Sequence, residues 1–282
     1  MTPVRVNDLW YLDELAKNSG LVKTSYPELR NQKKLLIQAY ESYEVNRGNP
    51  WLITMPVINN KLKSGLLSHY SSPPVIINYL ERITDSSPDV CPMCGGFDPF
   101  TRDHILPQSE YQVWAIFSKN LVPACKCNSK RGTALKGDPK TSARVLHPYY
   151  DDCLSERLLS CKITQRNDYR WFDLEIIYVN PTHQEIASIK YHTQKIVIKS
   201  GIEKWLTGQL GKLKNCPSNV IQTLPKRRIL TEDEVREGVE DCLDRNDELT
   251  GSKNNWQSIL CHGLLNSDGM LHWISERHNA TL

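Results

Sequence analysis

Four cysteines fall within 37 positions of one another, at 91, 94, 125 and 127, in a chain of 282 residues. The first two form the knuckle Cys91-Pro92-Met93-Cys94, which runs directly into Gly95-Gly96. The second two, Cys125 and Cys127, stand just ahead of Asn128. Two close thiol pairs about 30 residues apart are the pattern of a structural zinc site, which ties together a module with little core of its own. A redox CxxC would open a helix in a thioredoxin-like setting, and the glycines after Cys94 suit a metal knuckle better. The other five cysteines, at 153, 161, 216, 242 and 261, are scattered. Such thiols are ordinarily small buried hydrophobes, and no disulfide framework is expected.

The rest of the chain has the balance of an ordinary globular protein, 39% hydrophobic and 24% charged, long enough to bury a sizeable core. Its longest apolar runs, such as Val75-Ile76-Ile77, are far too short to span a bilayer. The opening residues Met1 to Arg5 lack the apolar stretch of a signal peptide. The expectation is a cytoplasmic protein with no membrane partner. A net charge of +3 is too small to indicate a polyanionic partner by itself.

Three segments differ in character. Residues 1–88 read as helical. Ser25 and Glu28 have the spacing of a capping box, and Leu29, Leu36, Tyr40 and Tyr43 give 27–47 a helical face. Gly48-Asn49-Pro50 ends that helix, a second follows Pro73-Pro74 over 75–83, and 85–88 is a break. Residues 89–150 are rich in Cys, Gly and Pro and read as a small metal-organised module. Residues 151–282 are a mixed accessory region. Phe172, Leu174, Ile176 and Tyr178 alternate as in a strand, with a turn at Asn180-Pro181-Thr182. The run 186–198 fits strand or helix. Thr231 and Glu234 form a capping box ahead of a helix over 231–244, and Trp256, Ile259, Leu260, Leu264 and Leu265 mark another. Trp273 and Ile274 close the apolar pattern.

Chemistry concentrates between and after the cysteine pairs, in Arg102-Asp103-His104-Ile105-Leu106-Pro107, Asn120-Leu121-Val122-Pro123 and Asn128-Ser129-Lys130-Arg131-Gly132. Hydrolysis of a phosphodiester needs a water relieved of its proton and a cation to neutralise developing charge. A carboxylate such as Asp103 is a hard ligand, an amide such as Asn128 can complete a hard-metal site, and an imidazole such as His104 can take a proton near neutral pH. Adjacent strand residues point to opposite faces, so Asp103 and His104 need a bent backbone to serve one site. The amide of Asn120 can bond backbone carbonyls or hold an imidazole.

The combined order, CxxC, Asp-His-Ile-x-Pro, Asn-Leu-x-Pro and Cys-Asn-x-x-x-Gly over 91–132, resembles the HNH endonucleases of the ββα-metal class. The resemblance implies an α+β fold: a β-hairpin with His104 near the end of its first strand, a helix beginning near Asn128, helices ahead of it, and a mixed, mostly helical C-terminal region. It implies a nuclease in which His104 is the general base and Asn120 supports the hairpin and His104. Asp103 and Asn128 would hold a catalytic Mg²⁺ or Mn²⁺, and Cys91, Cys94, Cys125 and Cys127 a structural Zn²⁺. One departure stands out. The family's second pair is usually CxxC, whereas Cys125-Lys126-Cys127 is one residue short. A distorted four-cysteine site, a three-cysteine site with another ligand (Cys153 and Cys161 are the nearest spare thiols) and no zinc all stay open.

Lys126, Lys130 and Arg131 are the expected phosphate contacts, with Lys136, Lys140 and Arg144 nearby and a second patch at Pro225-Lys226-Arg227-Arg228. Such contacts give affinity without sequence reading. DNA is the expected substrate. The same chemistry on RNA, as in a tRNA-cleaving toxin-like effector, and a non-catalytic zinc-stabilised nucleic-acid-binding module are the alternatives. His147 lies in Leu146-His147-Pro148-Tyr149-Tyr150-Asp151, a stretch similar to one in larger bacterial HNH proteins. It fits either a place beside the active site or a packed linker with aromatic anchors. Proteins of that look accompany ATPases in anti-phage loci, which implies a regulated defence effector with a regulatory ATPase partner.

Overall fold

The computed structural model describes residues 1–21, 25–166 and 171–282. The fold is α+β and mostly helical, with two small antiparallel sheets. The chain forms two compact units, one of residues 1–93, 97–151 and 187–196, the other of residues 94–96, 152–186 and 197–282. The helical segment 1–88 and most of the motif-bearing module 89–150 thus share a unit.

In the first unit, α1 (Asp8–Lys17), α2 (Glu28–Val45), α3 (Asn60–Ser71) and α4 (Tyr79–Asp85) precede β1 (Thr101–His104) and β2 (Leu121–Ala124). A short helix, α5 (Cys127–Arg131), follows the hairpin, and α6 (Ile186–His192) comes later in the chain. The apolar faces of the helices have a partner because the 105–120 connection of the hairpin is itself apolar. Leu29, Leu36, Tyr43, Leu62 and Leu66 share one core with Val113, Trp114, Phe117 and Leu121. Trp114 is fully buried, and its Nε1 is satisfied by the Ala39 carbonyl of α2 at 3.2 Å.

The ends of α2 show how far local rules reach. The Ser25–Glu28 capping box does not form: α2 starts at Pro27 without a side-chain cap. Ser25 is buried instead, 3.1 Å from Nε2 of His69. Tertiary burial has taken the hydroxyl that the helix end would have used. The other end follows the sequence. Gly48 adopts φ +67° and its N–H donates to the Tyr43 carbonyl at 2.9 Å. A Cβ there would lie 2.6 Å from His147 Cδ2 and 3.0 Å from the Tyr43 ring, so both backbone and space require glycine.

In the second unit, β3 (Leu159–Arg166) pairs antiparallel with β4 (Trp171–Tyr178). After α6 a π-helical turn (Thr193–Val197) leads into α7 (Ile198–Ser200), so 186–198 is helical. The helices α8 (Ile202–Asn215), α9 (Glu232–Thr250), α10 (Trp256–Leu265) and α11 (Met270–Asn279) complete the unit. The Thr231–Glu234 capping box forms in both directions, and α9 runs beyond the expected 231–244. No helix among the described residues is long and apolar enough to cross a membrane.

Candidate active site and metal centre

The sulfurs of Cys91, Cys94, Cys125 and Cys127 all lie within 4.8 Å of one another. Cys91 Sγ and Cys127 Sγ are 3.7 Å apart. Four thiolates at about 2.3 Å from a tetrahedral zinc ion are separated by about 3.8 Å, so the donor set fits. Three backbone N–H groups point at the sulfurs: Cys125 N at Cys91 Sγ (3.4 Å), Cys127 N at Cys125 Sγ (3.3 Å) and Gly96 N at Cys94 Sγ (3.4 Å). Such donors offset thiolate charge and hold each ligand in place. The one-residue-short second pair still closes the quartet, because the chain turns into α5 at Cys127. These four cysteines could bind a metal such as zinc.

The hairpin beside them carries the hydrolytic candidates. Asp103 pairs with Val122 and His104 with Leu121 across the ladder. His104 is the last residue of β1 and is buried. Its Nε2 lies 2.9 Å from the Ala115 carbonyl. A carbonyl only accepts, so Nε2 carries the proton and Nδ1 keeps a lone pair. Burial lowers the pKa of this ring to about 4, which keeps it neutral. The Tyr70 ring meets it edge-on at 4.3 Å and also lies under the Arg102 guanidinium at 5.6 Å.

Asp103 faces a different partner. Burial raises its pKa, against the pull of Arg131. Nη2 of Arg131 is 3.0 Å from both carboxylate oxygens, yet Oδ2 is buried without a hydrogen bond. Contacts on β1 therefore follow strand alternation, with Arg102 and His104 against Tyr70 and Asp103 against Arg131. No hydrogen bond among the described residues joins the His104 ring to the Asp103 carboxylate.

Asn128, the second residue of α5, reaches β1 directly. Its Nδ2 donates to Thr101 Oγ1 (3.3 Å) and the Arg102 carbonyl (3.5 Å), and its Oδ1 accepts from Ser129 N (2.5 Å). The amide thus sits against the two residues that precede Asp103. Gly132, at φ +61°, ends α5, which accounts for the glycine four residues after Asn128.

Asn120 is fully buried. Its Oδ1 accepts from Leu106 N (2.8 Å) and Tyr43 Oη (3.1 Å), and its Nδ2 donates to the Leu106 and Trp114 carbonyls (3.2 Å each). With its amide so used and its side chain fully buried, it presents no group to a substrate. It pins the connection from which Ala115 holds His104.

The three cations divide. Lys126 and Lys130 are exposed. Arg131 is buried, and donates to the carbonyls of Ile105 (3.1 Å) and His104 (2.5 Å) as well as to Asp103. Its guanidinium is engaged inside the hairpin, so the expectation of a phosphate contact is corrected for Arg131. Arg144 is likewise held by both oxygens of Asp151, at 2.5 and 2.7 Å.

No family model and no solved structure matches the chain. A stretch of 135 residues is 27% identical to Protein ea31 of Escherichia phage lambda. The match covers 45% of this chain and 45% of that protein, so the chain spans less than half the length of this relative.

Two site-supporting residues have no signal in the sequence. Tyr43 is legible there only as a core position of α2. His192, with no partner at ligand spacing, accepts the Leu146 N–H at Nδ1 (3.1 Å) and bonds the carbonyl of Met93, inside the first knuckle, through Nε2 (2.6 Å). Neither has a neighbour in sequence that would betray its partner. His147 is buried behind Asn120 among Tyr43, Tyr149 and Tyr150. That is the packed linker with aromatic anchors.

Proposed function

We propose that this chain is a metal-dependent phosphodiesterase of the HNH type that hydrolyses nucleic acid, DNA in the first instance. The observation that supports the reading is a hairpin followed by a short helix, with Asp103 and His104 ending β1 and Asn128 of α5 bonded to β1, on the same stretch as the four-cysteine cluster. Asp103 Oδ2, buried, without a hydrogen bond and 3.0 Å from the Arg131 guanidinium, is a hard donor that a metal ion would share with or take from Arg131, and Asn128 adds an amide oxygen. Together they suit a Mg²⁺ or Mn²⁺ site completed by water and a substrate phosphate. When bound, such an ion neutralises charge on the scissile phosphate and its leaving oxygen.

The remaining work falls to the chain. His104, with its proton fixed on Nε2 by Ala115, accepts a proton from water at Nδ1. The negative phosphodiester beside it raises the basicity that burial has lowered. Arg131 holds Asp103 when no cation is present. Lys126 and Lys130 draw in the phosphate backbone. Zinc on the four cysteines keeps α5, and with it Asn128, against β1. A regulatory ATPase belongs to the same proposal. A tagged chain that purifies alone from its native host, already active, would overturn that part.

The test is cleavage of supercoiled plasmid, linear duplex, single strands and total RNA with Mg²⁺ or Mn²⁺. His104→Ala is expected to lower the rate by about 10²–10⁴-fold with folding and binding unchanged. Retained cleavage in that variant would show that the base is misassigned. Cleavage of RNA alone would move the substrate, and binding without any cleavage would leave a zinc-stabilised binding module.

A further inference from the structure

Behind Asn120 lies a buried polar chain that hydrolysis does not touch. His147 Nδ1 accepts the N–H of Tyr149 at 3.2 Å, so the ring proton lies on Nε2. That N–H faces Tyr43 Oη at 3.0 Å and the Lys119 carbonyl at 3.2 Å. Tyr43 in turn donates to Asn120 Oδ1 at 3.1 Å. Asn120 grips both backbone groups of Leu106 and the carbonyl of Trp114, and the next carbonyl, Ala115, takes the Nε2 proton of His104. The donors run one way, from His147 to Tyr43 to Asn120. The far end is anchored too: the His147 N–H donates to Asp151 at 2.6 Å, and Asp151 is clamped by Arg144. Tyr43, Asn120 and His147 are all at most 1% exposed. Apolar side chains would fill this space without the desolvation cost, and what a satisfied polar chain adds is a single orientation.

We propose that Tyr43 and His147 are positioning residues for His104, acting through Asn120 on the 105–115 connection. The proposal rests on the hydrolytic reading above. The 146–151 stretch would then hold the base in one tautomer and one place from outside the site.

Tyr43→Phe removes one hydroxyl and keeps the ring against Trp114 and Phe117. It is expected to lower kcat about tenfold, the worth of one buried hydrogen bond, with KM unchanged. His147→Leu should act alike, and His147→Gln, whose amide keeps a donor for Tyr43 Oη, should recover most of the rate. The readout independent of turnover is ¹⁵N-histidine NMR with zinc retained and no Mg²⁺ added, the His104 signal being the one lost in His104→Ala. The intact chain should show the Nε2–H tautomer, and Tyr43→Phe a mixture of the two. If His104→Ala is inactive while Tyr43→Phe keeps wild-type kcat, the positioning role is overturned and the hydrolytic reading stands. If kcat falls only in step with the melting temperature and the His104 signal is unchanged, Tyr43 is merely structural and the proposal fails. If His104→Ala cleaves normally, the hydrolytic reading itself has failed.

Discussion

The cysteine quartet and the β1–β2 hairpin occupy the same stretch of chain but are built differently. The quartet joins two locally shaped pairs: a knuckle of four residues and a pair two apart, each with an N–H of its own turn aimed at a sulfur, and one N–H, of Cys125, that crosses to Cys91. The hairpin is held by distant chain. Asp8 of α1 accepts from Ser118 N (2.9 Å) and Oγ (2.6 Å), Tyr43 of α2 reaches Asn120, and Tyr149 donates to the Leu121 carbonyl at 2.8 Å. A site made locally fails when its ligand is taken away. A site made remotely fails when any of several far supports is cut.

The largest expected effect breaks the quartet. Cys91→Ser, or prolonged treatment with a strong chelator, should remove about one zinc per chain and melt the module, because binding energy at structural zinc is folding energy, on the order of 10 kcal/mol. Metal analysis and circular dichroism would check it, and a chain purified whole without zinc would dissolve the contrast. Next is the hairpin's internal bolt. Arg131→Leu leaves a buried carboxylate and two carbonyls without their donor and should cost about 3–5 kcal/mol in denaturant unfolding, whereas exposed Lys130→Ala should weaken DNA binding and leave stability within about 0.5 kcal/mol. Equal stability losses in the two would return Arg131 to the surface role.

The smallest effect concerns Asp8. Burial, opposed by the bonds from Ser118, raises its pKa from 3.8 to about 6. The folded chain therefore binds this proton more tightly than the unfolded one. The contribution of Asp8 to stability is greatest below pH 4, falls as pH rises towards 6, and is level above it, a change of about 2–3 kcal/mol at most. Asp8→Asn should flatten that part of the pH–stability curve.

The same contrast explains what the sequence makes legible. Periodicity marks α2, β4, α9 and α10 because each presents one apolar face, and the motif marks the hairpin, α5 and the quartet. Strand β3 carries no such mark: its burial breaks alternation over Leu159, Ser160 and Cys161. The Ser25 cap fails because His69, from α3, competes for the hydroxyl. Arg131 looks like its neighbour Lys130, and only the strand opposite shows that one cation is buried and the other is not. Tyr43 and His147 stand 104 residues apart, and no local pattern connects them.

Helix α5 has only five residues, Cys127–Arg131, far fewer than a helix needs to persist alone in water. It is ordered by what grips its ends, the sulfur cluster at Cys127 and the hairpin carbonyls at Arg131, with Asn128 between them. Whatever free energy an ion at the thiolates lends to the order of Asn128, a ligand at Asn128 must lend back to the thiolates in equal measure. The two sites are then reciprocal reporters, each readable through the affinity of the other.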